Sequence, residues 1–297
     1  MRAQPAVSRL LRLAALFSDC RQIIRLTQRN HGQSAKSVIK IISYNLNGLR
    51  SALSKGLLDW LAEAQPDIFC AQELKAGREA LDIAGFEALG YRAYLHPAQK
   101  PGYSGVATFS KVPPLAVVEG CGESCYDNEG RVLRLDFDGF SVLNTYMPSG
   151  TSGPERQAFK VQWLHFFRRY VAGLRARPGQ APLIIVGDFN CCQTPLDLHN
   201  PKANQNSPGY TPEERQWFRD LLADGDLDSF RHHVGHDAPG HYSWWSYRAG
   251  SRKRNVGWRL DHVLVDEQLR GRVQAAGLLP DVVHSDHCPA WVELAEG

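Results

Sequence analysis

An aspartate and an asparagine stand two residues apart where an apolar run stops, at Asp188 and Asn190 of PLIIVGDFN. Leu183 to Val186 read as a buried strand, and Gly187 lets the chain turn. If strand geometry continues, the carboxylate and the amide point the same way. Such a pair suits work on a phosphate: the acid can hold a metal ion or handle a proton, and the amide can steady an oxyanion. A strand that merely ends in a turn would use the same residue types, so the pattern gains weight from recurrence. VIKIISY runs into Asn45 and Asn47, DIFCA into Gln72 and Glu73, and FSVLNTYM carries Tyr146 near its end. A later strand opens through Asp261, and Asp286 and His287 stand just before the closing one.

These residues come from separate stretches, and strands packed into face-to-face sheets would bring their ends to one rim. Oxygen ligands such as Glu73 and Asp286, with a spare amide and no cysteine, suit Mg²⁺, with Mn²⁺ able to substitute. A metal there would offset charge on a phosphate oxygen and on the leaving group. His287 beside Asp261 would be an imidazole whose charge and tautomer are set by the acid. Asp188 could orient or deprotonate the attacking water. Tyr146 and Asn190 could donate to non-bridging oxygens as charge develops. No nucleophilic side chain is needed, since water serves.

The elements that must position these groups alternate in type. Val38–Tyr44 reads as a strand, residues 54–64 as a helix with Leu57, Leu58 and Leu61 on one face, and Asp67–Ala71 as a second buried strand. Residues 85–118 read as short antiparallel strands. Asp138-Gly139 marks a hairpin between RVLRLDF and FSVLNTYM. Residues 154–176 form a long amphipathic helix with Pro154 and Glu155 in its first turn. Thr211 caps a further helix, PEERQWFRDLLAD, with Glu214 completing a capping box.

Across 297 residues, 43% hydrophobic and 22% charged content fit a globular protein with a substantial core. No apolar run approaches the roughly twenty residues of a membrane-spanning helix. The seven cysteines are scattered and form no zinc-type spacing, which favours a reducing compartment. Cys70, Cys191, Cys192 and Cys288 adjoin site positions and read as small core hydrophobes. His232, His233 and His236 read as a surface turn rather than metal ligands.

The net charge of +3 conceals an asymmetry: residues 1–37 carry six Arg and one Lys against Asp19, and the body is net negative. The body would therefore meet nucleic acid through a local patch and a metal, not a diffuse positive field. Three readings of residues 1–37 are open. They could be an Arg-rich, acid-poor mitochondrial-type targeting segment, a flexible basic arm touching phosphates, or a stretch upstream of a true start near Val38. The expectation is an unstructured or mis-assigned extension over 1–37 and a single catalytic domain over 38–297. A bacterial cytoplasm is expected unless the leader is a genuine targeting signal in a eukaryote.

In this order, NLNGLRS (45–51), QELK (72–75), TYMPSG (145–150), GDFN (187–190), NVGWRLD (255–261) and SDHCP (285–289) resemble the exonuclease III / apurinic-apyrimidinic endonuclease family. The resemblance runs from about Val38 to Leu294. It implies a four-layered α/β sandwich, two packed mixed sheets flanked by helices. It also implies a Mg²⁺-dependent monomer that cuts double-stranded DNA 5′ to abasic sites and removes nucleotides from 3′ ends. Carried over by position, it makes Glu73 the principal metal ligand, helped by Asp286 and by Asn45 or Asn47. Asp188, Asn190 and His287 are also within the ligand set, and Tyr146, Asp188, Asn190, Asp261 and His287 match catalytic positions. Asn47 stands where many animal members carry Asp, which weakens the case for a second metal ion. The long redox segment of animal members has no counterpart in residues 1–37.

The resemblance also implies a pocket for a flipped sugar that lacks its base. Trp244, Trp245, Trp258 and Leu260 are its candidate walls, although two adjacent tryptophans on a strand cannot both face inward. Extruding a damaged nucleotide costs less than extruding a paired one. Arg248, Arg252, Lys253 and Arg254 flank the pocket as candidate phosphate or groove contacts, with Arg50 and Lys75 as weaker candidates. Asn204 fits an Asn-rich loop that steadies the catalytic Asp. Two other classes remain: a phosphohydrolase of the same fold acting on sphingomyelin or inositol phosphates, and a non-catalytic DNA-binding or scaffold descendant.

Overall fold

The computed structural model describes residues 38–296, and the readings given for residues 1–37 lie outside the described residues. The strands in chain order are β1 (Val38–Asn45), β2 (Ile68–Gln72), β3 (Arg92–His96), β4 (Val106–Ser110), β5 (Ala116–Glu119), β6 (Val132–Phe137) and β7 (Phe140–Tyr146). There follow β8 (Leu183–Asp188), β9 (Asp226–Asp228), β10 (Trp244–Trp245), β11 (Gly257–Trp258), β12 (Asp261–Asp266), β13 (Val273–Leu278) and β14 (Ala290–Ala295). Twelve of them build two six-stranded sheets, ordered β13-β14-β1-β2-β4-β3 and β5-β6-β7-β8-β12-β9, and β10 with β11 forms a short ribbon. Each sheet is mixed, with one parallel pair: β1 with β2, and β7 with β8. A parallel pair needs a crossover. Helix α1 (Leu57–Ala64) lies in the first crossover and α2 (Pro154–Arg175) in the second.

Alternation along the strands sorts side chains into three apolar layers. Between the sheets, Ile41, Ile68 and Val106 meet Leu135, Val142, Ile184, Val186 and Val263. On the outer face of the first sheet, Ile42, Phe69 and Phe109 pack against Leu57, Leu61 and Phe86. On the outer face of the second, Leu143, Ile185 and Leu264 pack against Trp163 and Phe167 of α2 and Trp217 and Phe218 of α3 (Pro212–Ala223). This is the expected four-layered α/β sandwich.

Local chemistry accounts for the element ends. The helix expected over 54–64 starts only at Leu57, because Gly56 adopts a left-handed conformation (φ 88°) that interrupts it after the short helix Leu49–Leu53. The capping box of α3 is present: Thr211 Oγ1 accepts from Glu214 N at 3.3 Å, and Glu214 Oε2 accepts from Thr211 N at 2.8 Å. His232 and His233 are exposed at the end of a short helix, Ser229–Val234, whose first half is buried, and His236 lies in the exposed turn that follows. Cys70, Cys191, Cys192 and Cys288 are fully buried, and the six described cysteines are unpaired.

One glycine is decisive. Gly187 pairs with Thr145 of the parallel neighbour at φ +145°, and a Cβ there would lie 1.8 Å from the Thr145 carbonyl oxygen. Gly187→Ala must push β7 and β8 apart just below Asp188. It is expected to cost about 2–4 kcal/mol of stability, measured as a lower midpoint in chemical denaturation.

Candidate active site

Strand register sets the first row of the site. Tyr146 pairs with Asp188, and Asp261 pairs with Asp188 from the other side, so three functional groups stand at one level of the second sheet. In the facing sheet Asn45 pairs with Gln72, and Glu73 follows at the end of β2. The loop between β13 and β14 delivers Asp286 and His287. Glu73, Asn47 and Asn190 all take left-handed backbone conformations (φ 53°, 48° and 49°). Such geometry in non-glycine residues clusters where function demands a particular side-chain direction.

The groups interlock. Asn45 Nδ2 donates to Glu73 Oε1 at 2.9 Å and to Asp188 Oδ2 at 2.8 Å, so a buried amide bridges the two sheets. Tyr146 donates its hydroxyl to the same Glu73 oxygen at 2.8 Å. Asn190 donates its backbone N–H to Asp188 Oδ1 at 2.8 Å and its amide to Asp188 Oδ2 at 3.1 Å. His287 Nδ1 lies 2.8 Å from Asp261 Oδ2, and its Nε2 lies 3.9 Å from Asp188 Oδ2. Asn47 and Trp244 donate to opposite oxygens of Asp286, at 2.9 and 3.0 Å.

Burial and charge set the protonation of this cluster. Burial pushes the Asp188 carboxyl up to about 7, with Asp261 and Glu73 adding to the rise and His287 opposing it. Burial opposes charge on His287, but Asp261, Asp188 and Asp286 overcome it and raise the imidazole to about 10. Burial also works against the Glu73 carboxylate, yet the Lys75 ammonium and the Asn45 amide hold it below its ordinary value. The Tyr146 hydroxyl is raised well above its ordinary range by burial and by the charges of Glu73 and Asp188, so it stays a donor.

Among the described residues, Glu73, Asp188 and His287 offer ligand atoms within 4.8 Å of one another, a group that could hold a metal ion. The chemistry of the place suits a cation. The Lys75 ammonium sits 2.8 Å from Glu73 Oε2 and also contacts Asn47 Oδ1, as a monovalent stand-in would. Asp286 is not within that trio; both its oxygens are engaged by Asn47 and Trp244.

The cluster opens on a cavity of about 420 Å³, walled on one side by Trp244, Trp258 and Leu260. Gly209 takes φ +96°, and a Cβ there would stand 3.3 Å from the Trp258 ring, so the glycine sets how closely the wall can pack. Three candidates lie elsewhere. Trp245 is buried away from this cavity, its indole nitrogen donating to Asn255 at 3.1 Å; the ribbon pairs Trp244 with Trp258 and Trp245 with Gly257, so alternation sends them to opposite faces. Asn204 donates to the carbonyls of His199 and Asn200 within its own loop, while Asp188 takes its bonds from Asn45 and Asn190. Arg252 turns inward onto backbone carbonyls instead of projecting outward like Arg248, Lys253 and Arg254.

Two positioning groups escaped the reading of the sequence. Ser243 Oγ accepts from the backbone N–H groups of Leu260 and Asp261, both at 2.9 Å, and so fixes where β12 begins. Lys160 is wholly buried, donates to the Asn190 carbonyl at 2.7 Å and pairs with Glu214 at 2.6 Å. Its signal was present: Lys160 falls on the same helical stripe as Trp163, Leu164, Phe167 and Val171, where a lysine is out of place.

A scaffold of two mixed sheets with carboxylates, amides and a charged imidazole on one shared edge is suited to the hydrolysis of phosphate esters. A family model described as the Endonuclease/Exonuclease/phosphatase family matches residues 42–287, and the chain belongs to that family. It is 43% identical to an exodeoxyribonuclease of Bacillus subtilis (strain 168), over 86% of this chain and 98% of that protein. It is 38% identical to a DNA repair nuclease of Danio rerio, over 91% of this chain and 86% of that protein. Among solved structures it is similar to an AP endonuclease from Archaeoglobus fulgidus (TM-score 0.77, 29% identity, 86% of this chain and 98% of that one). It is also similar to a 3′ phosphatase from Neisseria bound to a product DNA hairpin (TM-score 0.79, 28% identity, 86% of this chain and 99% of that one). The chain is thus a hydrolase of phosphodiester bonds. No described helix is long and apolar enough to cross a membrane.

Proposed function

We propose that the chain is a Mg²⁺-dependent DNA-repair enzyme that cuts the backbone of double-stranded DNA 5′ to abasic sites and cleans or trims 3′ ends. The observation that carries this reading is the row Tyr146–Asp188–Asp261, with His287 against it, opening on the cavity walled by Trp244, Trp258 and Leu260. Polar chemistry and an apolar sugar-sized wall share one mouth. A sugar without a base fits such a wall, and a flipped intact nucleotide carries a base that must find room elsewhere.

In this reading Glu73, with Asp188 in reach and Asn45 and Asn47 beside it, would hold the metal ion, and His287, charged on both nitrogens, would not ligate it. A divalent ion with oxygen ligands supplies positive charge that offsets the charge on the phosphate and on the departing oxygen. Asp188, fixed by three donors from Asn45 and Asn190, takes the proton of the attacking water. His287 stays charged through Asp261 and meets a non-bridging phosphate oxygen. Tyr146 and Asn190 donate to Glu73 and Asp188 and hold those two carboxylates in place. The exposed Arg248, Lys253 and Arg254 meet DNA phosphates beside the cavity. The domain over 38–297 works as a monomer, and its unpaired cysteines suit a reducing cytoplasm.

The test is a labelled duplex carrying one abasic-site analogue, incubated with Mg²⁺ and with EDTA. Cleavage immediately 5′ to the analogue, leaving a 3′-hydroxyl and abolished by EDTA, is the expected result. Cleavage that survives EDTA, or falls on the 3′ side, overturns the reading.

Protonation gives a second check. Asp188 serves as base only above its pKa, and His287 is charged only below its own. The rate is therefore expected to climb as pH rises toward about 7 and to fall again near about 10. Metal and proton compete for the same carboxylates, so more Mg²⁺ should move the acid limb to lower pH. Profiles at two metal concentrations measure this.

A further inference from the structure

We propose that Arg252 is a positioning residue: a clamp that holds the loop bearing Asp286 and His287 in register with Asp188 and Asp261. The inference rests on the functional reading above for what that loop does, but not for how it is held.

Arg252 lies between β10 and β11, on an arm whose neighbours Lys253 and Arg254 are exposed. Its own guanidinium turns the other way. Nη1 donates to the carbonyls of Ser285 (2.9 Å) and His287 (3.3 Å), and Nη2 to those of Pro280 (2.9 Å) and Val282 (2.6 Å). Its guanidinium carbon stands 4.6 Å from the centre of the buried Trp245 ring, so the indole backs the cation. One side chain thus serves four carbonyls of a segment that belongs to neither β13 nor β14 and has no sheet ladder to satisfy it. Two of the carbonyls between them are held from other directions: His284 by the Lys55 ammonium at 2.9 Å and Asp286 by the Trp245 backbone N–H at 3.0 Å.

The loop therefore has little regular structure and many donors aimed at it, and Arg252 supplies most of them from one planar group. What it secures is the His287 imidazole, whose nitrogens lie 2.8 Å from Asp261 and 3.9 Å from Asp188. A shift of this loop moves the imidazole relative to two groups fixed by strand register. Lysine cannot substitute, because a single ammonium has three donors and no fork to spread over four carbonyls. Because the same arm carries Arg248, Lys253 and Arg254, DNA held on its outer side would load the clamp from behind. Arg252 would then link substrate contact to the placing of His287.

The test compares the full chain with Arg252→Lys and Arg252→Ala. Three quantities are read: single-turnover cleavage of the abasic duplex, DNA affinity as a function of salt, and amide hydrogen exchange across residues 280–288. A clamp predicts single-turnover rates reduced by about 10- to 100-fold in both variants. It predicts an unchanged salt slope of DNA binding and faster exchange confined to the loop. Guanidinium or ethylguanidinium added to Arg252→Ala should recover part of the rate. Arg252→Lys with wild-type rate and wild-type exchange overturns the proposal. So does a salt slope for Arg252→Ala that falls by about one, since that marks a phosphate contact. If Arg252→Ala proves unstable, Arg252→Lys alone decides. The exchange arm is independent of catalysis: faster loop exchange in Arg252→Lys supports the clamp even where the wild-type chain leaves the duplex intact, a result that would overturn the functional reading alone.

Discussion

Asp188→Asn is expected to lower the single-turnover cleavage rate by about 10³- to 10⁴-fold while DNA affinity stays the same or tightens. The substitution removes the one carboxylate placed to take a proton and leaves the volume unchanged. The site is built for acceptors at this position. Oδ1 receives the Asn190 N–H, and Oδ2 receives the amides of Asn45 and Asn190. An amide must turn its NH₂ toward one of these donors, which costs about 1–3 kcal/mol. Against this, a buried carboxylate already pushed up to about 7 by burial and by Asp261 and Glu73 is costly to keep charged, so its removal offsets part of the loss. The fold should therefore survive. Binding should not suffer, because a negative charge near the phosphate is gone. The separating measurement is a filter-binding titration beside a single-turnover time course. Weakened binding with an intact chemical step would show that Asp188 holds substrate and that another group moves the proton.

Why was this row readable from the sequence? Each of its members sits at the polar end of an apolar run, and a core strand must leave its polar residues where the sheet meets water. β8 with Asp188 and β7 with Tyr146 announce themselves in this way. What could not be read is the order that brings them together. β14 closes against β1 from opposite ends of the described residues, and β12 reaches β8 over an insert containing α3, β9 and the ribbon. Long-range pairing leaves no local mark. Trp244 and Trp245 illustrate the finer limit. Both are apolar, adjacent and aromatic, and only the pairing of Trp244 with Trp258 shows which one walls the cavity. Arg252 illustrates another: a basic residue in a basic loop reads as a phosphate contact, and the carbonyls that engage it lie some thirty residues away. Ser243 is the extreme case, a small hydroxyl whose two backbone partners give it a role that its residue type does not advertise.

Glu73→Gln is expected to cut turnover at low millimolar Mg²⁺ by more than the roughly 10- to 100-fold typical of residues one shell removed from a metal. The argument begins with what surrounds each oxygen. Oε1 already accepts from Asn45 and Tyr146, at 2.9 and 2.8 Å, which leaves Oε2 as the open, negatively charged face, and that face holds the Lys75 ammonium. Glutamine retains the shape but removes the charge that a divalent ion answers. It must also present an NH₂ either to Lys75 or to two donors on the other side. Affinity for the ion should therefore fall more than the geometry changes. Raising Mg²⁺ should recover part of the rate, whereas an excess of metal cannot restore a missing proton acceptor at Asp188. The two variants are thus distinguished by a metal titration: Glu73→Gln recovers and Asp188→Asn does not. Calorimetric Mg²⁺ binding gives the same comparison without turnover, with weakened binding expected for Glu73→Gln. Should Glu73→Gln bind Mg²⁺ as the unaltered chain does, with turnover unchanged, the cation at this edge would have to be held by other residues, and the part assigned to Glu73 would fall with it.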